Sequence, residues 1–323
     1  MTTMHDDVPH PVPSYASLRY KENWFFILMS PREKVFGIFH FNTEAGFDRA
    51  RYFCEISVEG RRYKYSNETT LPSPFSGADS VGDDCMQVRF LEPHCLFHVS
   101  VKDSDFELSL EFRERFPTFD YTACKYANPD FMSGQEVLTL GTNLPYVHQQ
   151  QALNVSGNVK LKNGVEVGVE GRGYRDHSWG FRADGIVARH TWSNLHFSDF
   201  LVGVKTVELK TREGIFSQEG YVVDKEGLCA LKAISVNLHY FDDHKAIIEY
   251  VEYRLVDVLG KSYVIRANIS NKMEKLMLVS EKPGMSSYQM SENFCTCVLQ
   301  ETGEVGIAHV EIGGDHVVKA VCQ

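Results

Sequence analysis

Phe106, Leu108, Leu110 and Phe112 alternate with Glu107, Ser109 and Glu111. A two-residue period lays apolar side chains on one face of a strand and polar ones on the other. Tyr52, Cys54, Ile56 and Val58 repeat the pattern, as do Val165, Val167 and Val169, and then Ile234, Val236, Leu238 and Tyr240. Ala246 to Val258 and Tyr263 to Ile269 are longer β-branched and aromatic runs. Short turn signals separate them: Glu59-Gly60, Lys162-Asn163-Gly164, Asp224 to Gly227, Leu259-Gly260-Lys261 and Glu301 to Gly303. Helical periodicity is scarce; only Asn128 to Gly134 and Glu281 to Asn293 read as short turns or helices.

Many short strands joined by tight turns predict an all-β chain. The strand count is about twice the roughly 8 of a single small barrel. Two tandem antiparallel β-barrel or sandwich domains are therefore expected. The strand pattern lapses between Leu140 and Gln151, which sets the expected boundary. The expected division is a flexible lead-in over residues 1–14, an N-terminal β domain over 15–145 and a C-terminal β domain over 146–323. Pro9, Pro11 and Pro13 make the lead-in extended, with His5 and His10 on a solvated tail.

Composition narrows the function. The 323 residues carry 43 acidic and 33 basic side chains, a formal charge of -10, which disfavours nucleic acid as a partner. No apolar run reaches the roughly 18 residues of a membrane span. The start of the chain has no apolar signal-peptide core, so a cytoplasmic location and reduced thiols are expected. Cys295 and Cys297 are the single close cysteine pair, with no second pair at zinc spacing. No metal or other cofactor is expected.

One segment concentrates polar chemistry: Gly171 to Arg182, with Tyr174, Arg175, Asp176, His177, Ser178 and Trp179 between. A carboxyl, an imidazole, a phenol and a flat aromatic wall in a β framework suit an apolar ligand held by a few polar groups. Arg–Asp pairs also simply pin loops, and neighbours in a strand point to opposite faces, so adjacency of Asp176, His177 and Ser178 is not a triad. Downstream, His190, Trp192, Asn194 and His196 share one face of the next strand as a candidate pocket wall, and His148 is a further candidate from the boundary. His94 and His98, and His309 and Glu311, read as structural or surface pairs.

Asp176-His177-Ser178-Trp179-Gly180 resembles the Asp-His-x-Trp-Gly signature of the carotenoid 1,2-hydratase (hydroxyneurosporene synthase) and AttH-like lipocalin group. Gln149 to Gln151 and Val155-Ser156-Gly157, ahead of the signature, are similar to a bacterial branch of that group. The resemblance spans roughly Tyr146 to Arg182 and implies lipocalin-like domains with a pocket between or inside them. Relatives include hydratases of isoprenoid double bonds and cyclases that catalyse Diels–Alder reactions, both free of cofactors. It implies a cofactor-independent lyase or cyclase acting on an apolar isoprenoid- or polyketide-like molecule. Asp176 would be the acid and His177 or Tyr174 its partner. Arg175 and Arg182 would hold developing negative charge, and Trp179 would wall the substrate. The alternative is a lipocalin-like carrier that binds the same molecule unchanged. The expected partner is that small molecule, and a homodimer is compatible with the pattern.

Overall fold

A computed structural model describes residues 6–13, 20–72, 77–124, 146–181, 187–209, 212–241, 247–270, 272–279 and 288–314. The chain is almost entirely antiparallel β and divides into two compact units. The first comprises Met1–Tyr121 and Leu144–Arg182, and the second Thr122–Asn143 and Ala183–Gln323.

The first unit holds β1 (Tyr20–Ser30), β2 (Val35–Glu44), β3 (Arg49–Val58), β4 (Arg61–Thr69), β5 (Ser80–Gly82) and β6 (Met86–Glu92). It continues with β7 (Leu96–Lys102), β8 (Phe106–Glu114), β9 (Phe119–Asp120), β10 (Tyr146–Leu161) and β11 (Glu166–Phe181). They form one open sheet in the order β4-β3-β2-β1-β11-β10-β8-β7-β6-β5, with β9 against β10. The sheet curls around a core that includes Trp24, Phe26, Phe39, Cys54, Phe97, Leu110 and Phe112. Its free edges are blunted: β5 is three residues long, and β4 carries Arg61, Arg62, Lys64 and Glu68.

The second unit holds β12 (Val187–His196), β13 (Phe200–Leu209), β14 (Arg212–Asp224), β15 (Gly227–Tyr240) and β16 (Ile248–Asp257). Then come β17 (Ser262–Ala267), β18 (Glu274–Val279), β19 (Gln289–Leu299) and β20 (Glu304–Gly314). Pairing of β17 with the end of β19 closes eight of these strands into a barrel, and β18 pairs with the beginning of β19 along the same edge. Leu195, Val204, Leu231, Tyr253, Ile265, Cys297 and Val310 pack its interior.

The period-two reading of the core holds at Tyr52 to Val58 and Phe106 to Phe112, whose apolar faces are buried. It fails at Val165, which is 47% exposed because it closes the Asn163-Gly164 turn. The boundary expected at residue 146 is displaced. β10 and β11 join the first sheet, β10 beside β8 and β11 beside β1. The glutamine run looked like a linker because it is polar, but Gln149, Gln150 and Gln151 are all buried strand residues. The lead-in is not a free tail either: Asp7 is 1% exposed and His10 touches Glu22. Of the two segments read as helical, 128–134 lies outside the described residues. So does 281–287, whereas residues 289–293 open strand β19.

Candidate active site

Alternation along β11 splits the signature between two faces. Arg175, His177 and Trp179 share the face of Phe26, Trp24 and Glu22 of β1, their register partners. Tyr174, Asp176 and Ser178 lie on the opposite face, with Ile27, Phe25 and Asn23. On β10 the same rule sends Gln149 and Gln151 to the first face and His148 and Gln150 to the second. Asp176 and His177 therefore cannot act on one proton, and the expected Asp176–His177 partnership is corrected by the pleat.

The core-side face is a closed network around the N-terminal segment. Arg175 is 1% exposed and pairs with Asp7 Oδ1 at 2.8 Å. It also donates to Gln151 Oε1 at 2.8 Å and Thr118 Oγ1 at 3.0 Å, and its guanidinium lies 4.4 Å over Phe97. Burial pushes the Asp7 carboxyl up, but Arg175 and His94 outweigh it and hold Asp7 well below the usual carboxylate range. His177 Nε2 meets Glu22 Oε1 at 3.0 Å, and His10 Nδ1 reaches the same oxygen at 2.6 Å. Trp24 stacks on His177 at 4.8 Å, and Trp179 stacks on His10 at 3.9 Å. Burial lowers the His177 imidazole, and it stays lowered despite Glu22. His10, Glu22 and His177 bring their ligand atoms within 4.8 Å of one another, a set with the chemistry to hold a metal ion. The contacts inside the set are hydrogen-bond lengths, and they tie the N-terminal segment down.

The opposite face carries the more reactive arrangement. Asp176 Oδ2 contacts His148 Nε2, and the two side chains keep 15% and 8% of their surface. The Tyr174 hydroxyl donates to Gln150 Oε1, and the Gln150 amide nitrogen lies 3.1 Å from the same His148 nitrogen. Tyr121 stands edge-on to the His148 ring at 5.1 Å. Across β1, Asn23 Nδ2 is 3.5 Å from Ser178 Oγ, and Asn23 Oδ1 takes contacts from His40 and Asn42. A polar strip thus crosses β10, β11, β1 and β2. An open groove of about 530 Å³ in this unit is lined by Asp83, Gln87, Ser100, Asn158 and Glu166 and by none of the signature residues.

In the second unit, His190, Trp192, Asn194 and His196 do share one face of β12, opposite the side that packs Leu195 in the barrel. His190 contacts Glu311 through Nε2 and the Tyr288 hydroxyl through Nδ1. Trp192 stands edge-on to His309 at 5.9 Å, and His309 Nε2 meets Glu292 Oε2 at 2.6 Å. Burial pushes His309 down to about 4, against the opposing pull of Glu311. His309, expected at the surface, is instead fully buried, and Glu311 is half-buried beside His190. Arg182 lies outside the described residues.

Sequence reasoning missed Asp7, Glu22, Glu292 and Tyr288. Glu22 had a signal: it sits two residues before Trp24, on that residue's buried face. Asp7 and Tyr288 had none, since their contacts join segments far apart in the chain.

A family model described as a domain of unknown function (DUF7064) matches residues 3–314. The chain belongs to this family. No curated protein matches the sequence of this DUF7064 chain. Solved structures do match its fold. A putative AttH (NE1406) from Nitrosomonas europaea superposes with a TM-score of 0.64 at 15% identity, over 94% of this chain and 99% of that one. Kievitone hydratase from Nectria haematococca gives 0.60 at 9% identity, covering 97% and 92%. CghA gives 0.61 at 10% identity, covering 96% of each chain. At such identities the likeness is one of fold, and it meets the AttH-like architecture expected from the signature.

Proposed function

We propose that this DUF7064 protein is a cofactor-independent hydratase or cyclase acting on an apolar isoprenoid- or polyketide-like molecule, with Asp176 as its acid. The observation that carries this is the hydrogen-bond order around His148. The Tyr174 hydroxyl fixes the Gln150 carbonyl, which turns the Gln150 N–H toward His148 Nε2. A proton on the Asp176 carboxyl, shared with that nitrogen, is what the proposed chemistry requires. A carboxylic acid held this way, with 15% of its side chain open, is placed to protonate an alkene or polarise a carbonyl. His148 takes the partner role that adjacency had assigned to His177, and Tyr174 orients the relay through Gln150. Arg175, His177 and Trp179 belong instead to the framework behind the strip. The neighbour whose name is kievitone hydratase supports the hydratase arm of the reading.

The alternative, a carrier, is separated by one experiment. Purified protein is incubated with an apolar extract of its host and the bound and free compounds are weighed by mass spectrometry. The enzyme reading expects a compound that gains or loses one water, or an isomer of equal mass. A ligand recovered only in its original form sinks the enzyme reading and leaves the carrier.

A further inference from the structure

We propose that His10, Glu22 and His177 form a structural zinc site that locks the N-terminal segment onto the first unit. The site lies on the face of β11 opposite Asp176, goes beyond the function proposed above and does not depend on it.

The donor set is the first observation. His10 Nδ1, Glu22 Oε1 and His177 Nε2 lie within 4.8 Å of one another. Both nitrogens converge on the one oxygen, at 2.6 and 3.0 Å. Two imidazole nitrogens and a carboxylate oxygen are a recurrent donor set for zinc. Ligands about 2.1 Å from a tetrahedral zinc sit about 3.4 Å apart, so seating the ion takes side-chain shifts of about an ångström. The backbone N–H of His10 donates to Glu22 Oε2 at 3.0 Å, which holds the carboxyl with Oε1 turned toward both rings. The spacing of residues 10, 22 and 177 matches no linear zinc motif.

The second observation is the charge. Four acids are buried in the described part of the first unit: Asp7, Glu22, Glu44 and Glu55. Asp7 pairs with Arg175, Glu44 with Lys21 and Arg49, and Glu55 with Lys64. Glu22 is 1% exposed, and among the described residues its carboxyl meets no lysine or arginine; its side-chain partners are His10 and His177. Taking a carboxylate out of water without a strong cation beside it is costly, and a divalent ion held by the two imidazoles supplies that charge.

The surroundings suit a bound ion. Trp179 stacks on His10 and Trp24 on His177, which fixes both rings and keeps water away. His10 retains 15% of its surface, so the ion enters from the side of the N-terminal segment. In the bound state each ring gives zinc the lone pair of the nitrogen that faces Glu22 and carries its proton on the other nitrogen. His177 Nδ1 is buried with no hydrogen-bond partner among the described residues. Its proton there has no acceptor, which lowers the affinity roughly 10–100-fold against a site with that outer partner in place. The expected affinity is therefore micromolar.

The test uses the full chain, stripped with a chelator and dialysed. Zinc alone is titrated by calorimetry, and cobalt serves as a visible probe. Wild-type protein is expected to bind one ion per chain, to show the d–d bands of a tetrahedral cobalt site, and to lose them when zinc is added. Zinc is also expected to slow hydrogen exchange of residues 6–13. His10→Ala lies outside the sheets, so the variant keeps its fold, as circular dichroism verifies. It is expected to abolish the bands and to weaken zinc by more than roughly 10-fold. Glu22→Gln should do the same, whereas His98→Ala, outside the set, should bind as wild type does. No zinc uptake by wild type overturns the proposal. So does uptake that His10→Ala leaves unchanged, uptake that His98→Ala removes, or exchange of residues 6–13 that zinc does not slow.

Discussion

Successive residues of a strand face opposite ways, and β11 uses this to give one signature two environments. Arg175 and His177 are sunk into a packed face and matched by Asp7 and Glu22, whereas Asp176 meets His148 on the other face with part of its surface open. A buried pair such as Asp7–Arg175 is costly to break from one side. Asp7→Asn leaves the guanidinium uncompensated and is expected to lower unfolding free energy by about 3–5 kcal/mol in urea titrations. The same pair sets an acid dependence. The Asp7 carboxyl titrates below its ordinary value when folded, so its stabilisation is complete above the unfolded carboxyl pKa of about 3.9 and falls away as the pH drops below it. Urea midpoints measured across that window should fall more steeply for wild type than for Asp7→Asn. Equal slopes would show that the pair carries no linkage.

The strand is the scale at which most of the fold was legible. Phe106 to Phe112 and Tyr52 to Val58 declare their buried face by alternation alone, and the glycine turns between strands sit where the period breaks. What alternation cannot carry is the partner across the sheet. Gln149, Gln150 and Gln151 read as a polar break because nothing local shows that Arg175, Tyr174 and His148 will meet Gln151 and Gln150. Glu22 and Asp7 are concealed in the same way, as acids whose histidine and arginine partners come from segments far along the chain. Close approach of strands is likewise a pairing property. A Cβ on Gly171 would lie 2.2 Å from the Met29 carbonyl oxygen across the β1–β11 ladder. Gly171→Ala is therefore expected to destabilise by about 1–3 kcal/mol, read as a lowered urea midpoint with unchanged slope. An unchanged midpoint would contradict the register given for β11.

At the scale of the molecule, the two-unit, all-β plan came from strand count, but the dividing line did not. β10 and β11 are the longest strands, and their hairpin completes the first sheet. A fragment 146–323 would thus carry the β10–β11 hairpin without its outer partners β8 and β1, exposing unpaired edges that favour aggregation. A fragment 183–323 lacks that burden, and size-exclusion chromatography should find it less aggregated than 146–323. The reverse order would argue that β10 and β11 fold with the second unit. The family is defined over nearly the whole chain, and its solved neighbours share the fold at 15% identity or less, so the chemistry rests on the side chains of this sequence.

Asp176 is proposed as an acid that changes a bound molecule. The most direct measurement compares the metabolites of the native host carrying wild-type protein with those of the same host carrying Asp176→Asn. The expected result is a precursor that accumulates in the variant and a wild-type product that differs from it by one water, or that equals it in mass and differs in retention. Matching profiles, with the variant folded and expressed at the wild-type level, would contradict the claim.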